Sequence, residues 1–149
     1  MPGNQVAKGK KYFTVQEANR ILPLVRVIVR DIVELARDLR ERHERLARIR
    51  PYDRTALGPA YQEEIEHMQE EFERDQERMR GYEEELRNLG VELKDYYTGL
   101  IDFPCWKDNR EVYLCWRYGE PEVSHWHELD AGFAGRQKLT TEARQGGKW

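Results

Sequence analysis

The chain has 149 residues, 36% of them charged and 39% apolar, with a net charge of -3 and a pI near 5.9. That length suits one domain burying roughly 70% of its unfolded surface, and so many charges call for a large surface over a small core, as long helices packed along one stripe provide. The mildly acidic balance leaves no global footprint for nucleic acid or an anionic membrane, so neither is expected as a partner.

Residues 1–11, "MPGNQVAKGKK", are small, polar and basic, and read as a flexible N-terminal arm. They lack the apolar core of a signal peptide, and no apolar run approaches the ~18 residues of a membrane span, so a soluble, cytoplasmic protein is expected. Thr14 followed by Glu17 predicts a capping box at a helix start, with Phe13 stapling onto Ala18. Pro23 removes a backbone donor and predicts a kink or break before a long helix resumes near Leu24.

From there Val25, Ile28, Ile32, Leu35, Leu39, Arg42, Leu46 and Ile49 step by three and four, a coiled-coil seam with one polar interruption. "RPYDRTALGP" at 50–59 must end that helix. A second seam, Tyr61, Ile65, Met68, Phe72, Asp75, Met79, Tyr82, Leu86 and Leu89, closes at Gly90 as a C-terminal cap. The expectation is a coiled-coil-like antiparallel hairpin. Nine arginines against five acids over 20–50, and eleven acids against four arginines over 59–89, let the two helices select each other. Each exposed pair contributes only about 0.3–0.5 kcal/mol. Two helices leave one flank of the seam uncovered, which invites self-association or another protein partner.

After Gly90 the chain turns aromatic and β-branched. Strands are predicted near 91–94, 99–106, 111–117 and 122–128, an antiparallel sheet of three to four strands. The fold class is therefore α+β: a single domain over 12–138, with the hairpin at 12–90, the β-meander at 91–130, a glycine loop at 131–138 and a mobile tail at 139–149.

Alternation assigns faces once Asp108 and Asn109 are taken as a hairpin turn. Asp102 then opposes Cys115, Pro104 opposes Tyr113 and Trp106 opposes Glu111, with Ile101, Phe103, Cys105, Val112, Leu114 and Trp116 on a core face. The cysteines fall on opposite faces, which disfavours a disulfide. A three-residue loop at Gly119–Pro121 would put Trp126 on the core face, His125 near Cys115 and His127 near Tyr113. A two-residue loop would bury both histidines in the core instead, at an extra cost of at least about 1–2 kcal/mol.

The second face gathers Asp102, Tyr113, Cys115, Arg117, His125 and His127, with Glu128 and Asp130 at its edge. Imidazole, thiolate and carboxylate suit a divalent metal such as zinc, iron or manganese, with His125, His127 and Cys115 as candidate ligands. His-x-His on a strand is a weak signal beside paired Cys-x-x-Cys, and the plainer reading is a hydrogen-bonded polar face. A Cys115–His125 nucleophile pair lacks an orienting third residue. "DAGFAGRQ" lacks the glycine spacing of a nucleotide loop, so Gly132 and Gly135 read as turns that pack Phe133 on the sheet.

"YFTVQEANRILPLVRVIV", "GVELKD", "GLIDFP" and "REVYLCWRYGEPEVSHWHELDAGFAGRQ" together resemble the uncharacterised bacterial proteins grouped as domain of unknown function 2203, over residues 12 to 138. His127, Glu128, Asp130, Gly135 and Arg136 match that family's motif. Members typically carry proline where this chain has Lys138, and often an aromatic residue in place of His125. The resemblance implies a bacterial, cytoplasmic protein and no particular substrate. The expected function is a non-catalytic interaction or assembly module that self-associates through its hairpin. The alternative is a metal-binding or small-molecule enzyme centred on His127, Glu128, Asp130 and Arg136.

Overall fold

A computed structural model describes residues 10–48 and 58–147. Most of the expected arm, residues 1–9, and most of the inter-helix segment, residues 49–57, lie outside the described residues. Helix α1 spans Val15–Ala47 and α2 spans Pro59–Leu89. The capping box is formed: Glu17 N donates to Thr14 Oγ1 at 3.0 Å and Thr14 N to Glu17 Oε1 at 2.9 Å. Phe13 and Ala18 are both buried in the core.

The break expected at Pro23 does not occur, and α1 runs through it. Pro23 itself is exposed, while Leu22 and Val25 beside it are buried. Burying those two side chains is worth about 1.5–3 kcal/mol each, enough to offset the roughly 3 kcal/mol that an interior proline costs. Helix α2 begins with Gly58 as its N-cap and a proline in its first turn, and ends at Gly90 in the left-handed conformation, φ 89°.

The polar interruptions of the two seams meet each other, since Arg42 pairs with Asp75 across the hairpin and also with Asp38 one turn back. His43 lies near Phe72, ring centroids 6.0 Å apart, which confirms the antiparallel pairing.

The sheet holds five antiparallel strands in chain order, not three to four. They are β1 (Glu92–Asp95), β2 (Leu100–Lys107), β3 (Arg110–Arg117), β4 (His125–Glu128) and β5 (Gln137–Lys138). The β2–β3 register pairs Asp102 with Cys115, Pro104 with Tyr113 and Trp106 with Glu111, as alternation predicts. Asp108 and Asn109 form the turn with φ of 50° and 63°, the left-handed pair that matches strand twist in tight hairpins.

The β3–β4 register also follows the expectation, pairing Tyr113 with His127, Leu114 with Trp126 and Cys115 with His125. The connection is longer than three residues, because β4 starts only at His125. Val123 is held by α1 instead: its N–H donates to Asn19 Oδ1 at 2.7 Å, and Asn19 Nδ2 donates to Val123 O at 3.3 Å.

Residues 139–147, expected as part of a mobile tail, pack against the body. Leu139 and Ala143 are 3% and 1% exposed, and the short helix α3 (Thr141–Arg144) is capped by Thr140. Leu139 N donates to Ser124 O at 2.8 Å, continuing the edge begun by β5. One face of the sheet, with Ile101, Phe103, Cys105, Val112, Leu114 and Trp116, joins the apolar face of α1 in a single core. Gly99, with φ 70°, lets the sheet close on α1, because a side chain there would stand 2.8 Å from Val29 Cγ1.

Candidate functional site

The second face of the sheet is the expected polar face, yet its centre is sealed. Asp102 and His127 are each 3% exposed and Cys115 is fully buried. Adjacent strands position the three: Asp102 on β2 is the direct partner of Cys115 on β3, and His127 on β4 is the partner of Tyr113, two residues along β3. Their ligand atoms all lie within 4.8 Å of one another. A residue buried beside a strand neighbour of opposite polarity has no water to satisfy it, so each polar atom here must find a protein partner.

They do. His127 Nε2 lies 3.0 Å from Asp102 Oδ1, and His127 Nδ1 lies 2.7 Å from Glu128 O. A carbonyl oxygen only accepts, so Nδ1 carries a hydrogen and donates to it. The Nε2 contact to Asp102 then needs one further proton between ring and carboxyl, and the pair is neutral as a whole. Burial raises the Asp102 carboxyl above the ordinary carboxylate value, and the neighbouring imidazole and the Cys115 thiol oppose that rise. Burial, with Asp102 beside it, pushes the Cys115 thiol up to about 12. The Tyr113 ring stands 5.5 Å from the His127 ring, and its hydroxyl donates to Glu92 Oε1 at 3.0 Å. Burial, then Glu92, raises that phenol.

The other candidates are dispersed. His125 Nδ1 is 3.1 Å from the Ser124 hydroxyl. Burial, followed by the charge of Arg136, lowers its basicity. Asp102, not His125, completes the group with Cys115 and His127. Glu128 turns outward to a two-pronged pair with Arg110 at 3.1 and 2.6 Å, which lowers its carboxyl below the usual range. Asp130 is exposed.

Arg136 folds back over the sheet to Glu120 at 2.7 Å, its side chain only 10% exposed, and its Nε has no hydrogen-bond partner. Phe133 does not pack into the core, being 39% exposed. Its ring sits between Arg117 and Arg136, 5.3 and 4.7 Å from their guanidinium carbons. Glu120 was legible only as a turn residue of "YGEP". Its role as the partner of Arg136 depends on two loops meeting.

A family model described as "Uncharacterized conserved protein (DUF2203)" matches residues 11–139. The chain belongs to that family. The DUF2203 match takes in both helices, all five strands and the buried trio, and ends just before α3. No curated protein and no solved structure matches the chain. Among the described residues of this DUF2203 protein, no helix is long and apolar enough to cross a membrane.

Proposed function

We propose that this protein is a non-catalytic assembly module of the bacterial cytoplasm, in which two copies pair through their helical hairpins. The observation that carries this reading is the unfinished flank of the hairpin. Helix α2 buries only Ile65, Met79 and Leu86 of its 31 residues. Beside it runs a groove of about 410 Å3, lined by Ala36, Leu39, His43, Phe72, Met79 and Tyr97 among others. Apolar lining of this kind on a charge-rich helix pair suits a docking surface.

A second copy is the occupant that fits best. Nine arginines against five acids over 20–50 face eleven acids against four arginines over 59–89. The charges left exposed on the hairpin allow a two-fold arrangement in which the basic helix of each copy lies beside the acidic helix of the other.

Light scattering on the purified protein tests this. A dimer is expected, weakened by salt because part of its attraction is between exposed charges, and converted to monomer by Phe72→Glu. A salt-independent monomer at all accessible concentrations would overturn the reading. The alternative of an enzyme centred on His127, Glu128, Asp130 and Arg136 draws less support, since His127, Glu128 and Arg136 turn to separate partners and Asp130 is exposed.

A further inference from the structure

We infer that Asp102, Cys115 and His127 form a three-ligand site for a divalent transition metal of the zinc class, through a carboxylate oxygen, the thiolate sulfur and imidazole Nε2. This goes beyond the assembly reading and stands independently of it. Three adjacent strands converge three different ligand types on one point, with all the donor atoms within 4.8 Å. In tetrahedral zinc coordination the oxygen and nitrogen ligands sit about 3.3 Å apart and the sulfur about 3.5 Å from each. The observed Asp102–His127 separation of 3.0 Å is a hydrogen bond, about 0.3 Å short of the tetrahedral spacing, and the Cys115 sulfur lies within 4.8 Å of both partners.

The surroundings favour this use of the trio. His127 Nδ1 donates to Glu128 O at 2.7 Å, an outer contact of the kind that fixes a metal-binding histidine with Nε2 free to ligate. Charge also balances. The ion displaces the proton shared by Asp102 and His127 and the proton of the Cys115 thiol, so a doubly charged cation replaces two protons and the buried cluster stays neutral. His125, the other histidine of "SHWHELD", is turned to Ser124 and lies outside the ligand set.

Cobalt(II) is the probe, added to the full-length wild-type chain after chelation and dialysis. One equivalent is expected to bind, with a thiolate-to-cobalt charge-transfer band, displacement by zinc, and release of about two protons per ion measured at constant pH. Cys115→Ser should abolish the band, and Asp102→Asn and His127→Gln should each weaken binding at least about tenfold. Cys105→Ser and His125→Ala should leave band and affinity nearly unchanged.

Folded wild-type protein that takes up neither cobalt nor zinc overturns the assignment, whatever the variants do. A band that survives Cys115→Ser, or that is lost in folded Cys105→Ser or His125→Ala, overturns it as well. Neither result bears on the mass measurement that tests dimerisation.

Discussion

The sheet half and the outer hairpin are built to opposite standards of completion. Around the sheet, Trp116, Phe103, Ile101, Leu114 and Val112 are fully buried, and even the polar second face is closed over Asp102, Cys115 and His127. Along the hairpin, α1 buries ten residues but α2 only three, and the seam where they meet contains an ion pair. Burial there is one-sided, so stability should be concentrated in the sheet and its contact with α1, and partner binding in the hairpin. The difference arises because α1 packs on two elements, the sheet and α2, whereas α2 has α1 and little else.

Truncations measure that contrast most directly. Trp116→Ala, at a site with no exposure and a ring N–H donating to Glu120 O at 3.0 Å, should cost about 3–5 kcal/mol in denaturant unfolding. Met79→Ala, 8% exposed at the edge of the groove, should cost about 2 kcal/mol, the low end for such a change, because one side of the cavity is already open. Equal losses would erase the distinction between the halves.

The buried trio offers the next largest effect. In metal-free protein Asp102→Ala leaves the buried imidazole edge without its partner and should cost about 3 kcal/mol. Asp102→Asn can still hydrogen-bond to the ring and should cost nearer 1 kcal/mol. A negligible loss for the alanine variant would mean that water reaches His127.

The hairpin pair should respond in the other direction. Replacing both Arg42 and Asp75 by leucine continues the two seams, and should be neutral or stabilising by about 1 kcal/mol. Removing Arg42 alone should be destabilising, since Asp75 then loses its partner across the hairpin and, among the described residues, keeps its bond to Arg78.

The smallest effect is on acid stability. The hydrogen bond from Arg42 holds the Asp75 carboxyl below its ordinary value of 3.8. Below pH 3.8 the unfolded chain takes up a proton that the folded protein still refuses. The pair's contribution is therefore complete above that pH and fades as pH falls through the folded value. Acid titration of stability in the double leucine variant should lack this slope, and an unchanged profile would show that the pair contributes nothing there.

Local patterns, read without any structure, were enough for the capping box at Thr14, the two seams, the αL cap at Gly90, the Asp108–Asn109 turn and both sheet registers. Each depends on residues close in sequence or on strict alternation, where a one-residue slip would expose a whole apolar face. Even the meeting of Arg42 with Asp75 was prefigured by one polar gap in each seam. Alternation also placed Asp102, Cys115 and His127 on a common face.

Three things had no local signal. The passage of α1 through Pro23 depends on the tertiary core that buries Leu22 and Val25. The strand at Gln137–Lys138 is too short to show a period, and the packing of Leu139 and Ala143 depends on parts of the chain distant in sequence, Leu139 N donating to Ser124 O. The decision that mattered most for function was also tertiary. Sequence could say that imidazoles, a thiol and carboxylates share a surface. Only the folded chain decided that Asp102, Cys115 and His127 are closed off from water together while Glu128 turns outward to Arg110, because burial is a property of everything that packs around a side chain and not of the strand that carries it.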